Sequence, residues 1–159
     1  MVWAGVWSGG RVGPFFFDGS VSTETYLNLL NEKVWPKISR SVKREKLWYQ
    51  QDGAPAHFAR TVRDWLDCHF PNRWIGRLSE FPWPPRSPDL TVSDFFLWGY
   101  LKDKVYQRQP KNLTTLKLYI EQEFNKILQQ VIKKSCLSVI DRLKRCVQHN
   151  SDTVYIKYH

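Results

Sequence analysis

Cysteine is scarce in this 159-residue chain: Cys68, Cys136 and Cys146 are odd in number, and none belongs to a Cys-x-x-Cys pair. That argues against a disulfide framework and a cysteine-built zinc site, and it fits a reducing compartment. Long hydrophobic runs are missing as well. The block at residues 95–101 is far short of the roughly 20 residues a bilayer needs, and no basic segment followed by a long apolar stretch opens the chain. Neither a membrane span nor a secretory leader is read. Acidic side chains are the minority, 15 against 24 Lys and Arg, for a net charge of +9. No internal repeat and no low-complexity segment interrupts the chain.

What is present describes a globule. Hydrophobic residues reach 42% and aromatic ones 15%, with eight Trp and a mean hydropathy of −0.49, which excludes a disordered tail and a membrane protein. The cationic excess is uneven. Residues 1–94 hold 12 basic and 10 acidic side chains, and residues 95–159 hold 12 and 5. A surface of that sign attracts polyanions, nucleic acid before anionic lipid, unless it is simply a solvated basic face.

Residues 2–6 and 12–17 are β-prone runs around Ser8-Gly9-Gly10, the composition of a tight hairpin turn. Tyr26, Leu29, Leu30, Val34 and Ile38 recur at helical spacing, which predicts an amphipathic helix from Ser22 to about Ile38 with Pro36 disturbing its last turn. Lys37, Arg40, Lys43, Arg44 and Lys46 follow as a basic loop, either solvated or serving as a nuclear import signal or phosphate contact. Residues 47–51 read as a third strand, stopped by Asp52-Gly53-Ala54-Pro55. A helix is expected over residues 58–70, then a short strand at Trp74-Ile75. Four prolines within residues 82–88 make residues 81–90 an extended loop without ladder bonding. Thr91 or Ser93 is the expected N-cap of a helix reaching about Val105. Two more helical patterns follow, Leu113 to Val131 and Cys136 to Val147.

Two carboxylates stand where an ion-dependent site would need them: Asp52 at a strand end and Asp94 in the first turn of a helix, where the macrodipole favours a negative charge. Mg²⁺ takes oxygen ligands, usually one or two protein carboxylates with waters and phosphates. Two aspartates in such places also serve as a turn residue and a cap, and both readings stand at this point. An unrelated metal-dependent nuclease would need a further carboxylate, for which Asp18, Glu80 and Asp89 are the candidates.

The string Trp48-Tyr49-Gln50-Gln51-Asp52-Gly53-Ala54-Pro55-Ala56-His57, with residues 83–99 from Trp83-Pro84-Pro85-Arg86-Ser87-Pro88-Asp89-Leu90 through Ser93-Asp94-Phe95-Phe96-Leu97-Trp98-Gly99, closely resembles the catalytic domain of mariner/Tc-type transposases. The opening residues 1–6 and 13–19 look like that family's second and third strands. The resemblance covers about residues 1–106. It implies an α/β, RNase H-like fold of the retroviral integrase type, a mixed sheet flanked by helices, with residues 1–110 as the partial core and 111–159 as a C-terminal helical extension of the same domain. It also implies three acidic residues that bind Mg²⁺ or Mn²⁺, DNA as partner, a homodimer, and a nuclear location. Asp52 matches the family's second acid and Asp94 its third.

The family's first acid lies upstream of the segment matching residues 2–6. The expectation is therefore an N-terminally truncated domain that lacks the first strand, the first ligand and the helix-turn-helix domains. Such a chain binds nucleic acid without cutting or joining DNA, because in-line displacement uses two metal ions. The alternative is a degraded or repurposed transposon-derived module that binds nucleic acid or protein without catalysis. Asp18 is read as a turn residue and Asp89 as a brace of its loop rather than a ligand. His57 is a supporting neighbour of the site, or else a capping or packing residue. Trp48, Trp65, Trp83 and Trp98 are read as packing aromatics. Lys133, Lys134, Arg142, Lys144 and Arg145 are the expected phosphate contacts, unless they are the solvated side of the last helices.

Overall fold

In the computed structural model, which describes residues 1–40, 44–83 and 87–149, Ser22 starts the first helix: its hydroxyl accepts the Thr25 amide while the Thr25 hydroxyl accepts the Ser22 amide. The chain divides into two compact units, one of Met1 and residues 17–83, the other of residues 2–16 and 87–149. Lys43 of the basic run and positions 84–86 of the proline-rich stretch lie outside the described residues.

In the first unit, helix α1 spans residues 23–38 as an α-helical Thr23–Leu29, a π-helical Leu30–Val34 and an α-helical Trp35–Ile38. The wide turn comes immediately before Pro36, which then falls in a first-turn position where its missing N–H matters least. The predicted stripe is the buried one: Tyr26, Leu29, Leu30, Val34 and Ile38 are all inaccessible. Of the basic run, Arg44–Lys46 form a single 3₁₀ turn rather than irregular loop.

Strand β3 (Tyr49–Gln50) is shorter than expected and pairs in parallel with β4 (Trp74–Gly76). Two helices follow β3, α2 (Pro55–Phe58) and α3 (Arg60–His69), where the sequence suggested one starting at Phe58. Pro55 starts the first of them early, and Ala59, at ψ 145, breaks the pair. The buried face of α3 is Val62, Trp65 and Leu66, and Trp65 donates its indole N–H to Asn31 at 2.7 Å. The proline-rich stretch is not free of ladder bonding: β5 (Phe81–Pro82) pairs in parallel with Ile75 and Gly76. Pro82 is tolerated there because β5 is an edge strand.

In the second unit, β1 (Val2–Trp7) and β2 (Gly10–Phe16) form the expected antiparallel hairpin. Its register slips between Trp3 and Gly5, so β2 carries one extra residue opposite that step. Gly13 lies in this step at φ +99, a conformation that a side chain would strain. Helix α4 runs over residues 93–107, a π-helical Ser93–Trp98 continued by an α-helical Gly99–Gln107. The cap position falls on neither Thr91 nor Ser93. The position before the helix is Val92, and the Thr91 hydroxyl turns back to the Ser87 carbonyl at 3.3 Å.

Helices α5 (Leu113–Lys126) and α6 (Gln129–His149) are separated at Ile127 and Leu128, earlier than the periodicity placed the break. Ala4, Leu97, Leu101, Phe124, Ile127 and Ile132 form the core of this unit. Arg11, projecting from β2, closes the α5 terminus. Its guanidinium donates to the carbonyls of Phe124 (2.7 Å), Ile127 (2.6 Å) and Asn125 (3.0 Å), groups that a helix C-terminus leaves without internal partners.

Glu123 is the buried acid of this unit, with a side chain 8% exposed that accepts Arg108 and Lys126 at 2.8 Å each. The Lys126 hydrogen bond leads in holding its carboxyl below the usual range, against a burial penalty. A depressed acid contributes stability above its unfolded value of roughly 4.3 and loses it as pH falls through the folded value. Glu123→Gln is therefore expected to cost about 2 kcal/mol at pH 7, the worth of a charged hydrogen bond. Denaturant titrations should show that gap closing toward about pH 2; a gap constant with pH would refute the assignment.

Candidate metal and nucleic-acid site

Asp52 lies two positions past the end of β3, where Gly53 and Pro55 turn the chain out of the ladder and into α2. Its Oδ1 accepts the Ala54 amide at 3.0 Å and His57 Nδ1 at 2.6 Å. A carboxylate only accepts, so Nδ1 carries the proton. The His57 hydrogen bond is the main cause that keeps the Asp52 carboxyl below its ordinary value, opposed by partial burial and helped by the Ala54 N–H. The side chain is 69% exposed, and Oδ2 makes neither of these bonds. The result is an ionised, oriented carboxylate with an open oxygen.

A second layer fixes that pair. The Tyr26 ring lies 4.2 Å from the His57 ring, and the Gln51 amide donates to the His57 carbonyl at 2.8 Å. Tyr26 donates its hydroxyl to Gln51 Oε1 at 3.0 Å, so the 2.9 Å contact between the two tyrosine hydroxyls has Tyr49 as donor. Burial pushes the Tyr49 phenol well up, which keeps it a neutral donor. Sequence reading missed Tyr26 and Gln51 as site residues. The only signal was a Tyr on a buried helical stripe, whose hydroxyl must find a partner, and a Gln beside the strand-end acid.

Asp94 is exposed in the first turn of α4, and its amide donates to the Thr91 carbonyl at 2.9 Å. Buried Leu97 anchors the same turn. Asp89 is half-buried in the turn of residues 87–91, and its carbonyl accepts Arg142 Nη1 at 3.0 Å. Arg142 also stacks on Phe95 at 3.8 Å and is itself buried. It is therefore a brace between α6 and the turn before α4, and the expected phosphate contact does not fit that position. Lys133, Lys134, Lys144 and Arg145 are exposed on α6. Among the Trp residues, Trp65 is buried, whereas Trp48 is half-exposed and packs edge-on against Phe81 at 4.9 Å.

Asp52 with His57 belongs to the first unit; Asp94, Asp89 and the α6 cations belong to the second. Among the described residues, no group of three or more His, Cys, Asp or Glu is gathered to hold a metal ion. The exposed, ionised Asp52 and the exposed Asp94 are hard oxygen donors of the kind that suit Mg²⁺ or Mn²⁺. No helix among the described residues is long and apolar enough to cross a membrane.

No protein-family model matches the chain. It is similar to the transposable element Tc3 transposase of Caenorhabditis elegans, 25% identical over 156 residues, covering 97% of this chain and 45% of that protein. The chain thus spans less than half the length of that relative. Among solved structures, it resembles the Mos1 transposase catalytic domain and raltegravir with Mg, at a TM-score of 0.78 and 20% identity over 98% of this chain and 77% of that one. It also resembles the Mos1 transposase paired-end complex with left transposon end, at a TM-score of 0.75 and 20% identity over 97% of this chain and 45% of that one. The fold is that of the Mos1 catalytic domain, RNase H-like and mixed α/β.

Proposed function

We propose that this chain is catalytic core from a mariner/Tc-type DNA transposase, with transposon DNA as substrate and with Asp52 in one unit and Asp94 in the other each a carboxylate donor of the kind that takes Mg²⁺ or Mn²⁺. The observation that carries this reading is Asp52 itself: an open, ionised carboxylate at a strand end, oriented by His57 and the Ala54 amide, in a fold shared with the Mos1 catalytic domain. A bound divalent ion supplies charge stabilisation to a phosphoryl group and a more acidic water. The chain's own residues do the rest. His57 holds one Asp52 oxygen, Tyr26 and Gln51 hold His57, and the exposed α6 lysines attract the DNA backbone. A nuclear location and self-association belong to the same reading.

The core is expected to bind duplex DNA through the phosphate backbone. A mobility-shift assay tests this: a labelled duplex should be retarded at low salt and released as salt rises. Failure to retard the duplex would overturn the DNA-binding core.

A further inference from the structure

Arg77 follows the last residue of β4, and its side chain runs along Gly53, the neighbour of Asp52: a Cβ at Gly53 would sit 3.5 Å from Arg77 Cδ. Its guanidinium carbon lies 4.3 Å from the centre of the Phe58 ring. Arg63, from α3, lies 5.3 Å from the same centre and donates Nε to the Phe58 carbonyl at 3.3 Å. Phe58 is the residue after His57, so two cations share one ring at the edge of the Asp52 turn.

Geometry places those guanidinium carbons no more than about 10 Å apart, within one Debye length at 0.1 M salt, so they repel each other. No ion pair with a carboxylate is formed by either of them among the described residues. The ring quadrupole offsets only part of that repulsion. Arg77 is exposed over that ring, and its guanidinium offers a fork of donors of the kind that matches phosphate oxygens. An open, unenclosed pair of this kind gains little from a single anion in water. A phosphodiester strand gains more, because each neutralised phosphate releases a condensed counterion.

We propose that Arg63 and Arg77, stacked on Phe58, clamp the phosphodiester backbone of a DNA strand beside Asp52. The clamp rests on the reading of the chain as a DNA-binding transposase core and adds the residues that set the strand at that acid. Duplex binding followed by fluorescence anisotropy from about 50 to 200 mM salt tests it. Arg77→Gln, which keeps the stem and removes the charge, should flatten the plot of log affinity against log salt by about 0.9, making its loss about 3.5-fold larger at the low-salt end. Arg77→Lys should keep the slope, and Arg63→Ala/Arg77→Gln should flatten it further. Circular dichroism should report an intact fold, and inorganic phosphate should displace DNA no better than chloride of equal ionic strength. An unchanged slope in Arg77→Gln overturns the clamp alone, and selective displacement by phosphate overturns it in favour of a free-anion site. A wild-type chain that binds no duplex overturns both the clamp and the underlying function.

Discussion

Asn in place of Asp52 is expected to weaken Mn²⁺ binding about a hundredfold, read by titration of the free ion's electron paramagnetic resonance signal. The reason is electrostatic: the amide keeps the shape and can still accept the Ala54 and His57 hydrogen bonds through Oδ1, but it withdraws the charge that a hard cation needs. Because the turn is preserved, the melting temperature should barely move. His57→Ala acts through Asp52 and should cost about tenfold, at the lower end of what partners of metal ligands contribute. Equal Mn²⁺ affinity in wild type and Asp52→Asn would remove the metal from this site.

Phe124→Ala is expected to have the largest effect on stability, about 3–5 kcal/mol, because it empties a ring-sized space in a packed interior. The ring is 1% exposed among Ala4, Leu97, Leu101, Ile127 and Ile132, and the Arg11 guanidinium lies 5.6 Å from its centre. Truncation also loosens the helix end whose carbonyls Arg11 holds. A loss of that size is a large share of the 5–15 kcal/mol that holds an ordinary domain together, and thermal melting should fall by about 10 °C. Leu113→Ala, at a side chain 64% exposed, should stay within about 0.5 kcal/mol of wild type. Equal losses in the two variants would show that the cluster is not a core.

Local pattern carried the reading of the sequence where local physics decides. The stripe from Tyr26 to Ile38 was legible because burial follows helical period, and Asp52 was legible at a strand end because Gly and Pro punctuate the chain beside it. Residues that depend on distant partners were not. Nothing near Arg142 announces that it turns inward onto Phe95 and the Asp89 carbonyl, 53 positions away. Tyr26 reads as one more apolar position until Gln51 and Tyr49 meet its hydroxyl. The break at Ala59 and the pairing of Phe81–Pro82 escaped for a related reason. Both are settled by what the backbone meets in space, and composition alone favoured a continuous helix and an unpaired loop.

The reach of Arg11 has a consequence for synthesis. Its three carbonyl acceptors lie 113 to 116 positions downstream, so the hairpin leaves the ribosome long before any partner for that guanidinium exists. Residues 17–83, whose packing partners are close in sequence, are complete earlier. During translation the hairpin face carrying Ala4, which ends up against Leu97, Leu101 and Phe124, therefore stays bare, the kind of apolar surface that chaperones and aggregation compete for, until the helix ending at Lys126 has emerged and can cover it.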